Sequence, residues 1–455
     1  MLLARSHRSR VRPVPLIAAA LLAVAVSYAA LAAFRASTVP IQAAAPMFDL
    51  PGSTGAMPGG LERIGAAIGT WTANLDRDPA DFLAATNLAT LYLARAQLTG
   101  DPADYDRALQ AVDRALETDA SLLGARVLRA RALYASHDFA GAERAATALL
   151  ADHPGLPQAL AIQGDALLET GDYPGADAVY AQIGGPPSAP LLARQARLAA
   201  LTGSLERGRS VAAQAFALAD ADPATSAADR SFYWLLAGAL AFQAGDLERA
   251  LDDYRAAVEA WPDSAMALAG LGRARAATGD LAGAIRAYER AVAIRPEPAT
   301  LAALGDLLAV AGREADAALR HDQVRAFAAI EREAGLFGRS IVLFYADHGE
   351  AVDEAVTLAS AELEARTDVY GWDASAWALY AAGRFDEADA AMTRARAHDT
   401  EDAVLDYHAG MIAAALGREA EAAELLEAAL DRNPAFDPIG AERARQTLAQ
   451  LRAQP

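Results

Sequence analysis

Apolar and polar residues alternate along this chain with the period of an α-helix, in blocks that repeat. The pattern is plainest over Ser231–Pro298, where SFYWLLAGALAFQAGDLERALDDYRAAVEAWPDS is followed by AMALAGLGRARAATGDLAGAIRAYERAVAIRPEP. The second block is offset from the first by 34 residues, and the special positions then coincide: Gly238 with Gly272, Gly245-Asp246 with Gly279-Asp280, Ala250 with Ala284, Tyr254 with Tyr288, Ala257 with Ala291, and Pro262 with Pro296. Each block predicts two helices. The first spans about Ser231 to Ala244 and carries apolar residues at helical spacing. Gly245 ends it in a left-handed turn and Asp246 caps the next helix. Pro262 stops the second helix, because proline cannot continue the hydrogen-bond ladder. Gly238 lets a neighbouring helix come close, and Ala250 and Ala257 flank the bulk of Tyr254. One such hairpin cannot bury its apolar face alone, so copies must stack.

The period extends in both directions. Leu61–Leu75 predicts a first amphipathic helix, followed by a divergent hairpin, Asp81–Leu98 with Tyr105–Glu117. Copies start near Leu123 and Pro157, the latter carrying Gly164. A degenerate copy pairs Leu191–Leu201 with Leu205–Leu218 and leaves Ala219–Arg230 as a polar loop. Further copies start at about Ala299, Gly335, Val369 and Ala403, the last with Gly410, Ala422 and Pro434. Ile439–Arg452 predicts a closing helix that covers the end of the stack. The divisions are 1–35 (basic region and apolar helix), 36–60 (linker), 61–122 (divergent hairpin), 123–230 (repeats, one degenerate), 231–298 (two regular repeats), 299–436 (repeats) and 437–455 (cap). The expected fold is an all-α solenoid of about ten hairpins.

Trp234, Gly238, Ala250, Tyr254, Ala257 and Pro262 stand where the tetratricopeptide repeat (TPR) family places its consensus residues, and the pattern resembles that family. The resemblance implies a right-handed superhelix whose concave groove binds peptides or proteins; it implies no catalysis. Gly335–Ala388 also resembles part of a group of uncharacterised, exported bacterial TPR proteins, which brings no known activity. The TPR subgroup that clamps a carboxylate tail does so with Lys and Asn. Here the matching places hold Val127, Arg131, Ala161, Asp165, Leu235, Ala239, Ala269 and Arg273, so that clamp is absent.

The N-terminus adds an address. Arg5, Arg8, Arg10 and Arg12 precede an uncharged run of 19 residues, Leu16–Phe34, about 28 Å as a helix. The arginines favour the cytoplasmic side and place the repeats outside it. Two readings compete: an uncleaved single-pass anchor, or a signal peptide cut after the small residues Ala30-Leu31-Ala32. Ala36–Gly60, rich in Ala, Pro and Gly, reads as a flexible tether.

Composition narrows the chemistry. The 40 basic residues are all arginine, set against 59 acids. With the arginines at 5, 8, 10, 12 and 35 set aside, 35 remain against the same 59 acids, a net of −24, which repels nucleic acid and anionic surfaces. The absence of cysteine excludes disulfides, thiolate catalysis and Cys-ligated metals. Without lysine there is no phosphate-cradling Walker loop. Gly270-Leu271-Gly272 lacks the strand and the third glycine of a dinucleotide loop. The seven histidines form no i,i+4 ligand pair on one helix, and Asp347-His348-Gly349-Glu350 reads as a solvated mid-repeat turn. No cofactor, metal or catalytic site is expected.

The groove is the better candidate. Its lining positions include Phe232, Leu235, Phe242 and Gln243, then Met266 and Arg273. Further on come Leu336, Arg339 and Leu343, then Tyr370, Asp373, Trp377 and Tyr380, and finally Tyr407 and Met411. Tyr, Trp and Arg carry much of the energy of protein interfaces; the same aromatics equally serve as packing between neighbouring helices. The functional expectation is an exported, membrane-tethered scaffold for a protein or peptide partner. The alternatives are a soluble periplasmic carrier and, more remotely, an enzyme with its site in the groove.

Overall fold

The computed structural model describes residues 60–333 and 338–453. Over these the chain forms 22 helices. A lone α1 (Gly60–Arg77) leads into ten hairpins, and a lone α22 (Gly440–Ala453) follows them. The hairpins are α2–α3 (Phe82–Thr99, Pro102–Thr118), α4–α5 (Leu123–Ala135, Phe139–Asp152), α6–α7 (Pro157–Glu169, Tyr173–Tyr180), α8–α9 (Ala189–Leu201, Leu205–Ala221) and α10–α11 (Ala227–Gln243, Leu247–Ala260). Then come α12–α13 (Ala265–Ala277, Leu281–Ile294), α14–α15 (Pro298–Val310, Glu314–Glu333), α16–α17 (Arg339–His348, Val352–Ala365), α18–α19 (Val369–Ala381, Phe385–Ala395) and α20–α21 (Ala403–Ala415, Glu419–Arg432). The expected loop at 219–230 shrinks, because α9 runs on to Ala221 and α10 begins at Ala227. The segments 1–35 and 36–59 lie outside the described residues, as does Leu336. Among the described residues no helix is long and apolar enough to cross a membrane.

Turn chemistry sets each hairpin. Gly245 and Gly279 take φ of 74° and 86°, a region closed to most side chains. The aspartates that follow cap the second helix: Asp246 accepts from the Arg249 N–H and Asp280 from the Gly283 N–H. In α4–α5 the left-handed place is held by His137, at φ 65°, ahead of the capping Asp138.

A fixed interval of 16 positions locks the two helices of a hairpin. Tyr180 packs on Gly164, Tyr254 on Gly238 and Tyr288 on Gly272. A Cβ at those glycines would lie 2.3, 3.0 and 2.7 Å from the ring. Leu426 meets Gly410 in the same way, at 2.8 Å. Tyr254 is held from two sides, since a Cβ on Gly270 would also fall 2.3 Å from its ring. Ala250, Ala257, Ala284, Ala291 and Ala422 are wholly buried at these close approaches, where any larger side chain would part the helices. Trp234 rests on Phe216, with ring centroids 4.0 Å apart. Pro262, Pro296 and Pro434 each follow the end of a second helix.

Most of the core is a chain of local clusters, as stacking of neighbours requires. One cluster departs from this. It joins Leu168, Tyr173, Tyr180, Leu198 and Leu201 to Val369, Leu379, Met392, Leu405 and Ile412, residues about 200 positions away. The superhelix therefore closes on itself. Three consecutive turns between hairpins in the C-terminal half dock on three consecutive mid-hairpin turns in the N-terminal half. Thr367 Oγ1 donates to the Thr170 carbonyl at 2.6 Å, and Val369 N to Tyr173 Oη at 3.0 Å. Thr400 Oγ1 donates to the Leu201 carbonyl at 2.5 Å. Gln243 Nε2 donates to the Glu401 carbonyl at 2.9 Å, and Asn433 Nδ2 to the Phe242 carbonyl at 2.7 Å.

Candidate functional site: a chamber in the groove

Closure converts the concave groove into a chamber of about 930 Å³. First helices supply most of its wall; the docked turns, a few second-helix residues such as Tyr254, Tyr288 and Glu362, and Arg443 of α22 complete it. Phe242, Arg273, Arg339, Tyr370, Asp373 and Tyr407 line it. Trp377 and Met411, expected beside them, are buried in the core behind the wall. Trp377 stacks on Tyr380 at 4.6 Å on one side and on His408 at 4.0 Å on the other, and its Nε1 donates to Asp347 at 2.8 Å. Tyr380 is part of the same packing and is not among the lining residues.

The chamber has distinct chemical regions. Where the halves meet, Glu169 of α6 is completely buried between Arg197 of α8, at 2.6 Å, and Arg366, which follows α17. Burial alone would raise the Glu169 carboxyl, but the two guanidinium groups bring it down to about 2. Arg339 bridges Glu362 and Asp368 at 2.7 and 2.6 Å. His137 is pushed down to about 4 by burial and by the nearby Arg366 charge.

A second region is acidic. Asp347, Asp402 and Asp437 all line it, and burial raises each carboxyl above the usual range. Asp347 faces the open space yet is ringed by protein. That crowding, with Asp437 and Asp306 nearby, lifts it to about 6 against the opposing pull of His408. Asp402 accepts a hydrogen bond from Tyr370 Oη at 3.0 Å, and Asp373 pairs with His408 Nδ1 at 2.8 Å. Arg273 enters from the opposite wall, its guanidinium 4.1 Å above the Phe242 ring, a cation–π contact. It also donates to the Phe436 carbonyl at 3.3 Å.

Among the described residues, one group of three side chains has donor atoms close enough to share a metal ion: Asp306, His321 and His348. The turn Asp347–Glu350 is exposed at Asp347 and Gly349, as expected of a solvated turn, but it also faces the chamber. Gly349 does end α16 at φ 62°, but Asp347 and His348 turn toward the chamber.

Three segments match the tetratricopeptide repeat family model. They are residues 127–190, 235–299 and 374–438, each covering two hairpins. The TPR match and the helical architecture together make this a repeat scaffold of the kind suited to protein interaction. Solved structures similar in fold include the APC/C hetero-tetramer Cut9–Hcn1 (15% identity over 86% of this chain and 83% of that one, TM-score 0.40). Yeast Tom70 (12%, 82% and 96%, 0.33) and the human IFIT1 dimer with m7Gppp-AAAA (14%, 81% and 86%, 0.45) are also among them. No curated protein matches the chain.

Register within the repeats predicts the wall that first helices provide. It misses Arg366, Asp402 and Asp437, because these enter the chamber on turns between hairpins. Their one signal is a cluster of charge at turns where the repeat itself needs none.

Proposed function

We propose that the chain is an envelope scaffold whose chamber receives a short segment of a protein partner. In this reading Leu16–Phe34 stays in the membrane, with Arg5, Arg8, Arg10 and Arg12 on the cytoplasmic side, and the repeats stand outside the cytoplasm. The observation that carries the partner reading is the chamber. Its volume of about 930 Å³ falls within the range of sites that enclose a ligand and is far too small for a folded domain. Its wall combines aromatic faces with converging acids, so it suits a segment that carries both an apolar and a cationic side chain. A single-pass anchor followed by the Ala-, Pro- and Gly-rich segment 36–60 would place the scaffold near such a partner at the membrane surface. The second reading, favoured by the A-x-A-like cleavage site Ala30-Leu31-Ala32, removes the N-terminal apolar segment and leaves a soluble periplasmic carrier.

Crosslinking in intact cells, with a C-terminal tag, tests both parts. The expected result is a defined envelope protein crosslinked to the wild-type chain, lost from an Arg273→Met, Tyr370→Phe variant of unchanged helicity, with residues 1–35 retained. Equal capture by that variant would remove the chamber from the binding site. A mature N-terminus near Ala33 would replace the anchored reading with the carrier.

A further inference from the structure

Gly305 and His321 stand at the same interval of 16 as the glycine–tyrosine pairs Gly164–Tyr180, Gly238–Tyr254 and Gly272–Tyr288. His321 therefore occupies the tyrosine place of its hairpin. Its ring lies over Gly305, where an added Cβ would come within 2.3 Å of Nε2. That position brings Nε2 to 3.1 Å from Asp306 Oδ1. His348 also departs from the register. It precedes the left-handed Gly349, where other hairpins carry Ala244, Thr278, Ala311, Ala382 or Leu416. Its Nε2 lies 3.0 Å from the same Asp306 oxygen. Two unusual residues, from α15 and α16, thus converge on one carboxylate of α14.

The hydrogen bonding of His348 defines what the gap requires. Its Nδ1 lies 2.8 Å from the Phe344 carbonyl. A carbonyl oxygen only accepts, so Nδ1 carries the proton. In a neutral ring Nε2 then presents a lone pair to a carboxylate oxygen, so the contact calls for positive charge between them, either a proton on Nε2 or a metal ion. Donors about 2.0–2.1 Å from one metal ion, at angles between the octahedral and tetrahedral values, are about 2.9–3.4 Å apart. The observed 3.0 and 3.1 Å fall inside that interval. Phe344 packs against both imidazoles, at 5.3 and 4.5 Å, and its carbonyl fixes the His348 tautomer as outer partners of metal ligands do.

We propose that Asp306, His321 and His348 form a site for a divalent transition metal, with two imidazole nitrogens and one carboxylate oxygen, of the class that Zn²⁺ occupies. The ion ties together three successive helices, α14, α15 and α16. Asp306 and His348 line the chamber, so coordination positions the chain leaves unfilled open onto it. The site stands independently of what else the chamber holds. A proton on His348 Nε2 is the competing occupant of the gap, and metal titration separates the two.

The test uses the full chain without a histidine tag, stripped with chelator and titrated with Zn²⁺ by calorimetry at pH 7.5. Co²⁺ absorption in the visible range reports the coordination number. One ion per chain is expected, with affinity at least about tenfold lower in His321→Phe and in Asp306→Asn and an unchanged helical signal by circular dichroism. His321→Phe keeps a flat ring over Gly305. Should that variant lose helicity, Asp306→Asn and His348→Gln carry the comparison. A stripped chain that takes up no Zn²⁺, or wild-type and variant chains that bind it equally, would overturn the assignment.

Discussion

The side-chain amide of Asn433 donates to the carbonyl of Phe242 at 2.7 Å, although 191 positions separate them in sequence. This contact and its neighbours join the two halves of the solenoid around a chamber that stays open to solvent. An open stack gains stability only from adjacent repeats; here the two halves also support each other.

Gly245 tests that closure. Its φ is 74°, and an added Cβ would fall 2.0 Å from the Arg432 carbonyl oxygen of the opposing half. Gly279 has the same turn and a φ of 86° but nothing within 4 Å. Gly279→Ala should therefore cost only the left-handed backbone strain, about 1–2 kcal/mol. Gly245→Ala should cost about 1–3 kcal/mol more, from overpacking, and should enlarge the radius of gyration measured by X-ray scattering. Identical urea midpoints for the two variants would contradict the closed arrangement.

Trp377 is a core residue that holds the chamber wall from behind. It is 1% exposed and stacked between Tyr380 and His408. Trp377→Ala should lower stability by about 3–5 kcal/mol, read as a shifted urea midpoint, and any loss of partner binding would follow from that. Trp377→Phe keeps most of the packing but strands Asp347, which loses its 2.8 Å hydrogen bond. It should fall between wild type and Trp377→Ala. A wild-type midpoint for Trp377→Ala would place the indole outside the core.

Glu331 makes stability depend on pH in an unusual direction. The side chain is 2% exposed, and burial pushes the group from 4.5 up to about 8, opposed by the Gly338 N–H. Between those two values the folded chain binds more protons than the unfolded chain, so this group's contribution falls as pH rises from about 4.5 to about 8 and is level above that. The loss is on the order of 3–5 kcal/mol. Glu331→Gln, neutral throughout, should be more stable than wild type at pH 8.5 and equal to it near pH 5. Parallel pH profiles for the two chains would show that the carboxyl is not held neutral.

What the sequence determined by itself is local. Period, turn glycines, capping aspartates and stop prolines each act within one hairpin, so helix number, hairpin pairing and repeat register were legible from residue order. The interval from Gly238 to Tyr254 is of this kind. It recurs because both residues lie in one hairpin, and His321 stands out only against that recurrence. The tertiary structure alone decided the closure. Whether Thr367 meets Thr170 depends on the curvature summed over many hairpins. Small packing differences at each interface set that sum, and no periodicity records it. For the same reason the chamber took Arg366, Asp402 and Asp437 from turns that the repeat leaves unspecified, whereas Trp377 went into the core through its packing on Tyr380 and on His408 of the next hairpin.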